Sequence, residues 1–410
     1  MYIDSIYDET IPLNNKPLKW YHHRWIKLVC ISLMVLTLLA LSVCFAFKFV
    51  MQNEMTSSIV TTIRNSGWSR TGNMHHVRFS HKAVLLLNKK VLIFGGADAI
   101  GRRSGNDILK SAELYDPLSK TWQITSDMHT IRVGHAAAML TNGTVLVISG
   151  SIDAGFTNTS ELYDPSRETW RLTGSVHFVR NGHTASRLTN GKILIAGGFD
   201  ENYNRLKSAE LYDPLTGIWT ITGSMNIGRD YHQACVLTNG KVLVMGGSHN
   251  PDATNSSELY DPETGIWTLT GYMNSPRIFH TATLLRNGKV LVVGGMSLRI
   301  LQSAELYDLE TEKWTLTRDL PLPRTDHKAV LLKDGNVLVV GGWGNYSALS
   351  SAEIYNPLEE TWTFAGDMNH IRHYHTATLL ADGNVLVAGG SYAQTYFLNT
   401  AEIYDPLGLN

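Results

Sequence analysis

The chain has 410 residues, 43% of them apolar and only 17% charged, which is enough for a large core and too little charge for a disordered chain. Lys and Arg number 35 against 36 Asp and Glu, so no basic surface for nucleic acid is indicated. Three cysteines exclude a disulfide scaffold and any zinc cluster of paired cysteines.

Residues 1–27 form a polar tail carrying Lys16, Lys19, Arg24 and Lys27. From Leu28 to Phe47 there is no charge at all. A helix over that stretch would span ~30 Å, the thickness of a bilayer's hydrocarbon core. A cleaved leader has an apolar region of only ~7–15 residues, so residues 28–50 read as a transmembrane signal anchor. The basic flank places the tail in the cytosol. A stalk over 51–66 and a domain over 67–410 are then lumenal or extracellular. Four sequons, at Asn142, Asn158, Asn255 and Asn345, are candidate glycosylation sites, and each falls in a predicted turn or loop. Cys30 and Cys44 lie within the apolar run.

The rest of the chain repeats. Each unit reads R-x-x-H, an apolar run, Asn/Asp-Gly, a second apolar run, Gly-Gly, a loop, A-E-L-Y-D-P and T-x-x-W. The histidines are His81, His135, His183, His232, His280, His327 and His375; the glutamates are Glu113, Glu161, Glu210, Glu258, Glu305, Glu353 and Glu402. Copy five shows the elements: a strand over 280–285, a hairpin turn at Asn287-Gly288, and strands over 289–293, 303–307 and 314–317. The second strand is apolar nearly throughout, the pattern of a sheet buried on both faces. Four-stranded units of this kind at this period describe a β-propeller.

These marks are similar to kelch repeats, in the variety also found in the galactose oxidase propeller, over about residues 68–406. The resemblance implies an all-β, seven-bladed kelch propeller. Trp122, Trp170, Trp219, Trp267, Trp314 and Trp362 close six blades, and the seventh copy stops before its fourth strand. The sequence around Trp68 matches that missing strand. Residues 67–73 are therefore expected to complete the last blade and remove an exposed edge.

Each residue that recurs in every blade has a structural reading. Seven buried Arg and seven buried Glu should pair, and the histidines should bond to backbone. The glycine pairs fit a demand of backbone angle or close packing rather than a phosphate loop. No metal or cofactor is expected. The galactose oxidase likeness raises one enzyme reading, a copper radical oxidase, through Tyr231-His232, Tyr374-His375 and Cys235. The same scaffold could also carry a sugar-processing enzyme, or serve as a cytosolic kelch adaptor.

The loops between second and third strands, and between one blade and the next, share a face and vary from copy to copy. The turns on the opposite face are short and nearly identical. Function is expected on the variable face, where exposed aromatics and arginines suit binding hot spots. The candidates are Arg102, Arg103, Tyr203, Trp343, Tyr346, Tyr392, Tyr396 and Phe397 in loops, with Tyr231, Phe279 and Tyr374 at the channel rim. The expected function is recognition of a protein or glycan ligand by a membrane-anchored propeller, with the bilayer held through residues 28–50.

Overall fold

The computed structural model describes residues 67–98, 107–249, 252–393 and 396–408. The tail, the apolar run, the stalk, Arg102 and Arg103 lie outside the described residues. Among those described, no helix is long and apolar enough to cross a membrane.

Seven antiparallel four-stranded sheets follow one another along the chain. In the fifth, the strands are Thr281–Leu284, Val290–Val293, Ala304–Asp308 and Lys313–Leu316. Each end lies within one residue of the sequence-based bound. The second strand of every blade is wholly buried. Each first strand contacts the first strands of both neighbouring blades, and these seven strands enclose a central channel. Three additional two-residue or three-residue hairpins were not anticipated from the sequence. They pair Ser151–Ile152 with Gly155–Phe156, Ser248–His249 with Asp252–Ala253, and Ser391–Ala393 with Tyr396–Phe397. All three rise from loops of the variable face.

The ring closes as expected. Trp68–Arg70 pairs with Ala401–Tyr404, matching Trp68 to Tyr404, Ser69 to Ile403 and Arg70 to Glu402. The Trp68 indole donates to the Ala365 carbonyl of the sixth blade at 3.1 Å. This bond repeats from blade to blade: Trp314 donates to the Gly271 carbonyl at 3.1 Å and Trp122 to that of Gly72 at 2.7 Å. Fourth-strand tryptophans therefore tie each sheet to the one before it.

The arginines and glutamates pair as expected, and they do more than pair. Arg372 donates to the Gly389 carbonyl at 2.8 Å, the Thr400 carbonyl at 3.1 Å and Glu402 at 2.7 Å. Glu402 also accepts the backbone N–H groups of Asn369 at 2.6 Å and His370 at 3.0 Å. The buried carboxylate thus reaches five donors when the Asn369 amide and the His370 ring nitrogen are included. The sixth blade departs from this pattern. Its Glu353 lies 3.8 Å from Arg324, and the register slips between Ser351 and Glu353. The cause is local: Pro321 occupies the place of Asn369, and proline has no N–H to offer.

The hairpin turns give one stability prediction. Six blades put glycine at the second turn position, with φ between 82 and 108°, as at Gly143 and Gly383. The first blade has Lys89 there, exposed, with φ 69°. A left-handed non-glycine residue costs about 1–2 kcal/mol, part of which glycine returns as unfolded-state entropy. Lys89→Gly is expected to raise the unfolding free energy by about 1 kcal/mol, read from chemical denaturation.

Candidate functional site

The three residues around each R-x-x-H histidine form rings stacked along the channel. Immediately before the histidines come Ser80, Gly134, Gly182, Tyr231, Phe279, Asp326 and Tyr374, at the mouth on the variable face. Immediately after them come Lys82, Ala136, Thr184, Gln233, Thr281, Lys328 and Thr376, facing the interior. The next ring is alanine in every blade. The channel cavity, open to solvent, measures about 460 Å³.

The histidines lie between blades and bear out the sequence-based expectation in part. His81, His232, His280 and His327 meet the backbone of the arginine three positions earlier, as expected, and three of these rings also reach hydroxyls of the preceding blade. His81 Nε2 is 3.0 Å from Thr376 Oγ1, His232 Nε2 is 3.0 Å from Thr184 Oγ1, and His327 Nε2 is 2.9 Å from Thr281 Oγ1. In each case the threonine belongs to the preceding blade, at the position just after its own histidine. Where that position is Lys82, Ala136, Gln233 or Lys328, the following histidine has no hydroxyl or other side-chain partner for either ring nitrogen. These are His135, His183, His280 and His375. Burial holds all four far below the usual imidazole range, so they are neutral at pH 7. Each ring also packs on the neighbouring blade's first glycine. A Cβ on Gly341 would sit 2.8 Å from His375 Cε1. Together with a φ of +60° at Gly341, this accounts for the glycine pairs.

The mouth is strained. Ser80, Tyr231, Phe279, Asp326 and Tyr374 all adopt left-handed backbone, with φ between 50 and 55°. Gly134 and Gly182 show that glycine serves at the same place, at φ 66 and 67°. Five blades therefore hold a side chain at the mouth against a backbone preference worth about 1–2 kcal/mol each.

The mouth aromatics join those of the loops in two arcs. In one, Tyr231 packs on Phe279 at 4.6 Å and on Phe199 at 5.9 Å, and Phe199 stacks on Tyr203 at 5.6 Å. In the other, Trp343 meets His373 at 4.9 Å, His373 meets Tyr374 at 4.7 Å, and Phe79 stacks on Phe397 at 4.7 Å. Tyr392 stacks on Tyr396 at 5.0 Å, and Tyr346 stands almost fully exposed at 96%. Trp343 and Phe397 are half-buried. Phe79, Phe199, His373 and Asp326 were not among the sequence-based candidates. Their signal was available: they flank the histidines or follow the glycine pairs, where an aromatic or acid breaks the repeat.

Charge at the channel is uneven. Burial pushes the Asp326 carboxyl up to about 7, and Lys328 opposes that rise. Burial and then the Lys328 charge push the Lys82 ammonium down to about 8. Burial raises the Tyr231 phenol to about 12. Of the sequons, Asn142, Asn158 and Asn345 are exposed. Asn255 is half-buried and donates its amide to the Met273 carbonyl at 2.9 Å.

A ring of seven four-stranded sheets with one uniform face and one variable, aromatic face defines a seven-bladed β-propeller. The KLHDC2/KLHL20/DRC7 Kelch-repeats domain matches residues 134–342, about half of the chain, and the Kelch motif matches residues 78–129 and 324–369. The chain belongs to the kelch-repeat family. It is similar to alpha-scruin of Limulus polyphemus, at 33% identity over 81 residues, and to the kelch repeat-containing protein kel-10 of Caenorhabditis elegans, at 34% over 80 residues. Those segments cover 20% and 19% of this chain but only 8% and 13% of the relatives. Among solved structures, a copper-bound fungal alcohol oxidase of the AA5 family superposes with a TM-score of 0.69 at 16% identity, covering 84% of this chain and 78% of that one. YjhT superposes with a TM-score of 0.56 at 15% identity, over 71% and 98%. At these identities the likeness is one of fold.

Tyr231, His232 and Cys235 each have packing or hydrogen-bond partners within the propeller. Among the described residues, no three His, Cys, Asp or Glu side chains gather as a metal-binding set. His232 already meets Thr184, and Tyr231 packs on Phe279 at the mouth. Cys235 is buried in the apolar core among Leu243, Met245 and Leu259, with its thiol pushed up to about 12 by burial.

Proposed function

We propose that this kelch propeller is a protein-recognition module that binds its partner on the variable face, tethered to a bilayer by residues 28–50. The observation that carries the reading is the strained mouth. Tyr231, Phe279 and Tyr374 are kept in left-handed backbone where glycine serves in two other blades. Strain of this kind is held where a side chain has work to do. Tyr203, Tyr346, Tyr392 and Tyr396, exposed around the mouth, extend the surface with residue types that dominate interface hot spots. The rigid ring loses little entropy on binding.

Face-specific cross-linking tests it. A photo-reactive phenylalanine at position 346, or at 203, is expected to capture a cellular protein. The same group at position 215, in an exposed turn of the opposite face, is expected to capture none. Capture from position 215 alone would overturn the reading, and adducts that vanish on glycosidase treatment would move it to a glycan ligand. The tether and the lumenal or extracellular placement of the propeller are tested by protease protection of a carboxyl-tagged chain in sealed microsomes. Digestion of the tag in intact vesicles would place the propeller in the cytosol.

A further inference from the structure

We propose that the central channel binds a compact oxyanion, the phosphate group of a small molecule, between the ammonium groups of Lys82 and Lys328. This site lies inside the ring and is independent of the recognition face. The two lysines occupy the position after the histidine in the first and sixth blades. The seventh blade stands between them and contributes Thr376 at the same level. Two like charges thus face one channel from either side of the seventh blade, with alanine below them. Among the described residues, no carboxylate lies within 4 Å of either lysine. Lysines elsewhere on the blades behave differently: Lys241 reaches Asp261 at 3.2 Å and Lys192 reaches Asp213 at 3.4 Å.

The wall around them is rich in unsatisfied nitrogen. His135 follows Lys82 round the ring and His375 follows Lys328. Both line the channel, both are 1% exposed, and both have two ring nitrogens without a partner. Buried polar groups left in this way call for an explanation. An anion with several oxygens supplies acceptors to the ammonium groups, and lysine serves phosphate as a point charge. A cavity of about 460 Å³ has room for the phosphate and a small organic group. Asp326, above Lys328 at the mouth, supports the charged form of that lysine.

The charges that face the site set its pH dependence. Lys82 faces Lys328, His81, His135 and His183; Lys328 faces Asp326, His81, His327 and His375. The imidazoles are neutral at pH 7, so the lysines carry the attraction. Binding is strongest with Lys82 charged, and weakens as pH rises past about 8.

The test is calorimetric titration of purified full-length protein with inorganic phosphate and with phenyl phosphate, at fixed ionic strength. Lys82→Thr and Lys328→Thr place at these positions the residue that the third, fifth and seventh blades already use. Each offers the next histidine a hydroxyl, so folding is preserved. Saturable binding at pH 7, at least ten-fold weaker in each variant and at pH 9.5, is expected. Tighter binding of phenyl phosphate than of inorganic phosphate would identify an organic phosphate as the natural ligand, and the reverse would identify the free ion. No saturable heat with either, equal affinity in wild type and both variants, or equal binding of acetate would overturn the proposal.

Discussion

Removing residues 1–73, so that the chain begins at Met74, is expected to lower the melting temperature of the propeller by about 10 °C and to make it aggregate. The deletion takes away the whole fourth strand of the seventh blade, Trp68–Arg70, with its pairing to Ala401–Tyr404. Trp68 is only 9% exposed and packs on Tyr404 with ring centroids 5.0 Å apart. Loss of a buried tryptophan alone costs about 3–5 kcal/mol, and each kcal/mol moves the midpoint of a large domain by about 2–4 °C. The aggregation has a separate cause. Without its outer strand, Ala401–Tyr404 presents a row of unpaired backbone groups to any neighbour. Differential scanning calorimetry and light scattering measure the two effects. A truncated protein that melts like the intact chain would show that the clasp contributes nothing.

Glu402→Gln and Glu353→Gln are expected to have opposite consequences although they change the same repeat position. Glu402 is fully buried, paired with Arg372 and held by two backbone N–H groups. Burial alone would raise its pKa, but Arg372 and Asn369 outweigh burial and hold it below 4.5. Removing the charge strands the Arg372 guanidinium and should cost about 3–5 kcal/mol. Glu353 lacks the N–H groups, and its arginine is more distant, so burial wins and its carboxyl is raised. The fold disfavours its charged form, and a neutral amide there should be near neutral or stabilising. Urea denaturation reads both.

The signs with pH follow from the same groups. Glu113, Glu161, Glu210 and Glu402 are all lowered, so the stability they contribute is present above pH 4.5 and is lost as pH falls through their folded values. Glu353 is raised, so its contribution runs the other way and is lost as pH rises through its folded value. The buried imidazoles are lowered too. They add to the acid weakening, which begins below their ordinary value of 6.5. Pro321→Asn, which restores the missing N–H, is expected to return the Glu353 carboxyl to the behaviour of Glu113, Glu161, Glu210 and Glu402.

The architecture was legible because its information is repeated. Asn/Asp-Gly, Gly-Gly and Glu-Leu/Ile-Tyr recur blade after blade and fix hairpins, strand ends and inward faces many times over. The clasp was legible because the Trp68 segment matches the strand that the last copy lacks. The hydroxyl partners of the histidines were not, since they depend on which residue of the preceding blade faces the ring. That is a contact across about 48 positions that no local pattern encodes. The Glu353 exception was in principle readable from Pro321, but only once the role of that backbone N–H was known. The candidate site divides the same way. Tyr231, Phe279 and Tyr374 stood out by type, whereas Phe79, Phe199, Lys82 and Lys328 acquire meaning only from the ring that gathers them.

The clasp also sets a schedule for synthesis. Trp68 is made early, while its hydrogen-bond acceptor Ala365 comes 297 positions later. At about 5–20 residues per second, the emerging chain carries that tryptophan unburied for roughly 15–60 seconds. Six blades can stack as they appear, but the ring stays an open arc until the last strands leave the ribosome. A chaperone acting on this protein therefore has its longest window at the first strand made, and premature termination anywhere before Tyr404 leaves that strand without the partner it was built to meet.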